Sequence, residues 1–351
     1  MMRRLKLAIG LWATLAALPA LAQEPRFDGV VLRVATFGGG WDKVVAEFIG
    51  SEIEKRGGKV EYVLAPPREA LAQLIAARGR AIPFDVVEMS DNTWVDTVEG
   101  KFLQPIDLSK IDNKKYLESF QYDEWKVASW NTQEGMIYDT EKFKQAGIQP
   151  PRRYSDLADP RLAGKVVMID VSQAGSIHFL VGASRDAGGS DADLAPGLAL
   201  LSRINARSYW KLGAESMTLL ETGEAWITTM HAGFAIQAKR KGMPVAFVHP
   251  AVGTNVGIVK EGWLGIVRGT KVAAAAEFFI NAYIDTDAQE KLALRRGIVP
   301  VNREARASLA KDPILKDTLL LSDDAVRNMM RIDWQKVDPD FSEKWSRAVA
   351  K

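Results

Sequence analysis

The chain has 351 residues, 47% hydrophobic and 26% charged, which suits a soluble globular protein with room for two lobes of ordinary size. It contains no cysteine, which excludes disulfides, thiolate metal sites and lipid attachment at a cysteine behind a leader. Lys and Arg number 46 against 44 Asp and Glu, with no polybasic segment, so neither nucleic acid nor a membrane surface is an expected partner.

Arg3, Arg4 and Lys6 precede an apolar run from Leu7 to Leu18, and Ala20-Leu21-Ala22 offers a small-x-small cleavage site before Gln23. This pattern predicts a secretory signal peptide over residues 1–22, and the apolar run is short for a membrane span. Cleavage removes those three basic residues and no acid, turning the formal charge of +2 into −1. An exported, unanchored chain points to the periplasm.

Val30 to Ala35 is a short, β-branched apolar run that suits a buried strand. Gly38-Gly39-Gly40 makes a turn, and a helix starts near Asp42, whose carboxylate suits the positive helix end, leaving Trp41 at the turn. Lys59 to Leu64 predicts a second strand. Arg68 to Arg78 predicts a helix with Leu71, Leu74 and Ile75 on one face, entered through Pro66-Pro67. Phe84 to Met89 predicts a third strand; Ser90-Asp91-Asn92 follows, and Asp91 or Asn92 caps a helix running to Glu99. The order β-α-β-α-β predicts a parallel sheet covered by helices, whose ligands bind at the carboxyl ends of the strands.

Ile106 to Tyr122 is polar and turn-rich. Trp125 to Tyr138 holds two apolar runs around a polar patch at Asn131 to Glu134, and the first passage between lobes is placed there. A second α/β unit opens with a strand at Val166 to Ile169, a turn at Ser172 to Ser176 and a helix from Ile177 to Ala187. Helices are predicted over Leu198 to Leu212, Ser216 to Gly223 and Gly233 to Lys241, and strands over Trp226 to Thr229 and Val245 to Val248. Val256 to Ile266 has strand character on both sides of Glu261-Gly262. Helices at Val272 to Ile284 and Ala288 to Arg295 precede an extended piece, Ile298 to Asn302. Leu309 to Lys351 reads as helical, anchored by Trp334 and Trp345.

The only histidines, His178, His231 and His249, are widely spaced, and no nucleophile elbow, zinc-protease or phosphate-loop motif occurs. The glycines at 38 to 40 do not extend to a dinucleotide fingerprint, because position 43 is Lys. No enzyme chemistry is therefore expected. Polar turns flanked by aromatics recur at strand ends: Gly38 to Trp41, Ser90 to Asn92 near Trp94, Asp170 to Ser176, and Met230 to Gly233. Trp130 and Trp263 stand at the lobe crossings. Two lobes whose strand ends face each other enclose a cleft with aromatic walls, suited to a small ligand. The candidate ligand-binding residues are Gly39, Trp41, Ser90, Asp91, Trp130, Asp170, Ser172, Ser176, His231 and Trp263. Asp91 and Asp170 either pair with an amine or cap helices. Tryptophan faces suit organic cations, whereas the backbone N–H groups of Gln173 to Ser176 suit an anion.

Several segments resemble the bacterial extracellular solute-binding proteins of ABC importers, most of all the spermidine/putrescine-binding type. They include Arg33 to Trp41, Phe84 to Val87, Gly135 to Asp139, Pro151 to Lys165, Leu220 to Ala225, Lys241 to Val245, Ala276 to Asn281, Asp287 to Leu292 and Gly297 to Asn302. The resemblance implies an α/β, two-lobed periplasmic binding protein of type II-like architecture, with a hinge and an interlobe ligand cleft. It implies lobe 1 over 23–129 with a return segment 260–300, lobe 2 over 130–259, and C-terminal helices over 301–351 packed on lobe 2. Further crossings would lie near Val259 to Glu261 and near Pro300. It also implies a monomer without metal or cofactor that delivers a small molecule to an ABC permease.

By resemblance the ligand is a small, polyamine-like organic amine. Trp41 matches an aromatic position of that type and Asp170 an acidic one. The further acids are missing from Val171 to Ser176, and none follows Trp263 in Leu264-Gly265-Ile266. An anionic or zwitterionic metabolite is therefore the alternative, and a secreted α/β enzyme is the alternative of another class. No Tyr-Tyr pair occurs, which argues against ferric iron.

Overall fold

A computed structural model describes residues 24–78 and 80–350; the signal peptide expected over 1–22 lies outside them. The strands are β1 (Val31–Thr36), β2 (Lys59–Leu64), β3 (Val86–Ser90), β4 (Leu103–Gln104), β5 (Val127–Asp139) and β6 (Val166–Ile169). They continue with β7 (Ala206–Trp210), β8 (Ile227–His231), β9 (Val245–Val248), β10 (Ala251–Val252), β11 (Asn255–Val256) and β12 (Ile258–Val267). One sheet runs β2-β1-β3-β12-β5-β8-β6-β7, with β4 on β12 and β9 on β5. Its outer parts are parallel, as the β-α-β pattern requires: β1 pairs with β2 and β3, and β6 with β7 and β8. The middle is antiparallel, with Gly262 opposite Ser90, Glu261 opposite Asn131 and Glu134 opposite His231.

Two hydrophobic cores lie along this sheet. One gathers Leu32, Ile49, Phe84, Val127, Leu264 and Phe279; the other gathers Met136, Val167, Phe179, Leu180, Ile227 and Ile258. Thus β5 and β12 each place one end in each core. Of the C-terminal stretch, Val301, Leu309, Leu315 and Leu319 join the first core, and Met330 and Trp345 the second.

Two expectations change. The helix expected over Leu198 to Leu212 is a helix at Ala195–Arg203 followed by β7, an edge strand whose Arg207 and Ser208 hide its alternation. The two apolar runs expected at Trp125 to Tyr138 form a single strand of 13 residues, buried throughout. Its polar centre, Asn131 to Glu134, lies where the two cores meet. No helix among the described residues is long and apolar enough to cross a membrane.

Candidate functional site

The turn after β1 places the first wall. Gly39 and Gly40 both take left-handed backbone angles, φ 68° and 86°, which non-glycine residues adopt only with strain. They deliver Trp41 to the start of the helix Trp41–Val45. On β3, Glu88 is almost completely buried and accepts four hydrogen bonds. Its Oε2 accepts from Trp41 Nε1 at 3.0 Å and Thr36 Oγ1 at 2.5 Å. Its Oε1 accepts from Trp130 Nε1 at 2.9 Å and the Tyr283 hydroxyl at 2.7 Å. Burial pushes the Glu88 carboxyl up, against the opposing pull of these four donors. The two indoles meet edge to face at 6.1 Å, and Phe37 packs against both.

These rings line a cavity of about 250 Å3 with Gly38, Thr132, His231, Lys260, Arg296 and Ile298. Alternation along β5 sets Trp130, Thr132 and Glu134 on one face. Glu134 is buried; it accepts from Thr132 Oγ1 at 2.9 Å and lies 3.4 Å from Lys260 Nζ. Burial opposes its charge, but Lys260 foremost and the Thr132 bond bring its carboxyl down to about 2. His231 ends β8 and caps the helix Ala232–Arg240, its Nδ1 accepting from Gly233 N at 3.2 Å. Burial lowers its pKa to about 4; Glu134 opposes this, and Lys260 and Arg296 add to it. A neutral ring that accepts at Nδ1 carries its proton on Nε2. Arg296 is the last residue of the helix Thr286–Arg296; its neighbour Arg295 pairs with Glu47, while Arg296 forms no ion pair among the described residues. The cavity therefore combines three aromatic rings, two cations, a neutral imidazole and, behind Lys260, one ionised carboxylate.

A second recess, about 420 Å3, is lined by Asp91, Trp94, Lys126, Glu261, Trp263 and Arg331, among others. Here the acids are already engaged. Asp91 Oδ2 accepts from Glu261 N at 3.3 Å and meets His178 Nε2 at 3.1 Å; Glu261 accepts from Arg331 Nε at 3.1 Å. Lys126 Nζ lies 3.9 Å from the Trp263 ring centroid. A larger cavity, about 770 Å3, is built by Phe143, much of the loop from Ile148 to Leu162, and Arg203, none of them at a strand end of the sheet.

Of the ten candidate residues, Trp41, Trp130 and His231 line the first cavity, and Gly39 shapes the turn beside it. Asp91 and Trp263 line the second recess, and Ser90 donates to Asn92 Oδ1 at 2.5 Å just before it. Asp170, Ser172 and Ser176 line neither. Asp170 Oδ1 accepts from the backbone N and hydroxyl of Ser172, and Ser176 donates to Val171 O, so all three serve their own turn. Phe37, Thr132, Glu134, Lys260 and Arg296 escaped the sequence analysis. Strand alternation would have found Thr132 and Glu134 from Trp130; nothing local marks Lys260 or Arg296. No group of three metal-ligating His, Asp or Glu side chains occurs among the described residues.

Residues 36–317 match the family model for bacterial extracellular solute-binding proteins. An uncharacterised Haemophilus influenzae protein is 27% identical over 170 residues; the match spans 46% of this chain and 46% of that one. Among solved structures, an ABC transporter protein of Clostridium perfringens is similar at TM-score 0.75 and 20% identity, over 91% of this chain and 99% of that one. The Atu4243-GABA receptor is similar at TM-score 0.72 and 20% identity, over 90% and 96%. The spermidine/putrescine transporter substrate-binding protein PotD of Streptococcus pneumoniae is similar at TM-score 0.72 and 17% identity, over 91% and 97%. These likenesses share the two-lobed α/β fold, and the family is one of binding proteins, not enzymes. The chain belongs to the bacterial extracellular solute-binding protein family.

Proposed function

We propose that this chain is the solute-capturing component of an ABC importer. It works as a periplasmic monomer once a signal peptide over 1–22 is removed. Lobe 1 (23–129 and 260–300) and lobe 2 (130–259) close on a small metabolite, and the closed form is what the membrane permease receives. The ligand carries a carboxylate and is an amino-acid-sized zwitterion or anion held between Phe37, Trp41 and Trp130. Its acid group meets Arg296 and Lys260.

The carrying observation is that Lys260 and Arg296 both line the aromatic cavity, while Glu134 behind Lys260 is already engaged by Lys260 and Thr132. A polyamine placed there would set its ammonium groups against two cations, and buried like charges without partners are costly. A carboxylate instead gains charge-assisted hydrogen bonds. The Atu4243-GABA receptor, named for a zwitterion, is among the similar structures. A polyamine-like amine is the second reading. Ionised Glu134 and the two indoles favour it, and PotD, named for spermidine and putrescine, is also among the similar structures.

Thermal-shift and calorimetric titration of residues 23–351 test the choice. γ-Aminobutyrate and other small carboxylates are expected to raise the melting temperature, because a ligand of the folded state stabilises it by mass action. Arg296→Gln is expected to abolish that shift. A response to putrescine or spermidine alone would establish the amine reading, and turnover of any bound compound would make the chain an enzyme.

A further inference from the structure

Glu88 lies outside every cavity described above, yet it holds two of the cavity's three rings. It accepts from Trp41 Nε1 and Trp130 Nε1, each through a different carboxylate oxygen. Both oxygens are completed by hydroxyl donors, Thr36 on one side and Tyr283 on the other. The four donors come from β1, the turn after it, β5 and the helix Ala273–Tyr283, so one carboxyl ties four segments together. Trp130 is confined from a second side as well, because a Cβ at Gly262 would stand 2.2 Å from its ring. The backbone of β12 thus presses on Trp130 from one side while Glu88 holds its N–H.

We infer that Glu88 is a positioning and specificity-determining residue of the ligand cavity. By engaging both indole N–H groups it fixes the rings and removes every tryptophan donor from the cavity wall. A buried donor left without a partner is costly, so a free indole N–H would recruit an acceptor atom of the ligand. With both engaged, the aromatic wall offers only π-surface, and the cavity's cationic donors are Lys260 and Arg296. The ligand is then bound in one orientation, acid group on the cations and hydrocarbon or ammonium part against the rings, and a polyhydroxylated ligand finds no donor on that wall. The orientation and the exclusion rest on the carboxylate reading proposed above; the fixing of the rings does not.

The chemistry of glutamine separates this role from simple core stability. Glu88→Gln keeps one acceptor oxygen and replaces the other with an NH2 donor. A hydroxyl can turn to accept from that NH2, but an indole N–H cannot, so one tryptophan loses its partner. Nitrogen-15 NMR of the indole N–H groups of residues 23–351, assigned through Trp41→Phe and Trp130→Phe, reads this without ligand. In Glu88→Gln, one of the two indole protons is expected to exchange with solvent several-fold to about tenfold faster, the scale of one lost hydrogen bond. Asp85→Asn is the structural comparison. Asp85 is another buried carboxyl of lobe 1, bonded to Arg33 and Thr270, and its loss is expected to lower the melting temperature while leaving both indole signals in place. Tyr283→Phe removes one donor from Glu88 and serves if Glu88→Gln does not fold.

Calorimetry with γ-aminobutyrate and with glucose supplies the second readout. Weaker γ-aminobutyrate binding in Glu88→Gln is expected, and the loss should shrink in a Trp41→Phe or Trp130→Phe background, where the N–H is already gone. Unchanged indole exchange in Glu88→Gln would overturn the positioning role. Faster exchange with unchanged affinity, or with the same loss in both Phe backgrounds, would overturn the specificity role. Wild-type protein that binds glucose but no carboxylate would overturn the ligand reading and the donor-exclusion claim together, while the exchange result would still decide whether Glu88 fixes the rings.

Discussion

His178 Nε2 lies 3.1 Å from Asp91 Oδ2, which joins the helix Gly175–Asp186 of the second core to the helix Asp91–Glu99 of the first. His178 is fully buried, and its other ring nitrogen faces Ala174 O at 3.2 Å. The bond spans the two lobes beside the crossing strand β12, whose Glu261 N also donates to Asp91. Asp91, an expected partner for a ligand amine or a helix cap, bonds His178 and the Glu261 backbone and so links the two cores.

On the proposed closure of two lobes over a ligand, breaking this tie should weaken the closed form and with it ligand binding. His178→Leu, which has no donor to offer Asp91, is expected to reduce affinity by up to about 1.5–3 kcal/mol, the worth of a hydrogen bond to a charged group. Small-angle scattering with saturating ligand should then report a larger radius of gyration than wild type. An unchanged radius and affinity would mean that the bond contributes equally to open and closed forms.

Arg296→Gln removes a cation that has no ion-pair partner among the described residues, so little stability should go with it. A carboxylate ligand is expected to lose about 1.5–3 kcal/mol of binding, roughly 10- to 150-fold in Kd. A polyamine would bind more tightly to this variant, so the sign of the change reports the charge of the ligand.

Gly262→Ala places a methyl group where a Cβ would lie 2.2 Å from the Trp130 ring. That indole must shift, and its bond to Glu88 stretches or breaks. The expected outcome is a loss of stability of about 1–3 kcal/mol from overpacking, measured by urea unfolding, with a changed Trp130 indole signal.

His249 supplies a pH test outside the cavity. Its Nε2 donates to Thr318 O at 3.0 Å, and its Nδ1 is buried without a partner. Burial lowers its pKa to about 4, only partly opposed by the Thr318 bond. The unfolded chain takes up that proton near pH 6.5 and the folded chain near 4, so the neutral ring's contribution is whole above 6.5 and is lost as pH falls towards 4. Melting temperatures of wild type and His249→Gln, compared at pH 7.5, 5.5 and 4.5, should converge on acidification. Parallel curves would show that the imidazole is not held neutral.

Several strands were legible as short runs rich in apolar and β-branched residues, although the edge strand β7 was not. Lys59–Leu64, Val166–Ile169 and Val245–Val248 fall where the pattern places them. The crossing strand β5 was read as two pieces because Ser129, Asn131, Thr132, Gln133 and Glu134 break its apolar run. Those side chains are buried by their surroundings, as with Gln133, which bonds the backbone of Leu320 from 187 residues away. In the cavity, Trp41 and His231 were visible as unusual residues at strand ends, and Trp130 at an expected lobe crossing. Lys260 and Arg296 were not, because each looks like an ordinary charged residue until the chain brings them together. The same holds for Glu88, one acid within an apolar strand, whose four donors lie up to 195 residues away.

The central sheet runs without interruption from β2 to β7, and its two middle strands belong to both cores. The halves are therefore not beads on a string, and cutting the chain at the crossing would expose raw strand edges on both fragments. On the proposed closure, opening would strain these paired strands, in the manner of a torsion spring rather than of a door on loose hinges. A circularly permuted variant, or one carrying an inserted fluorescent reporter, should keep β5 and β12 whole and take its new ends at outer loops.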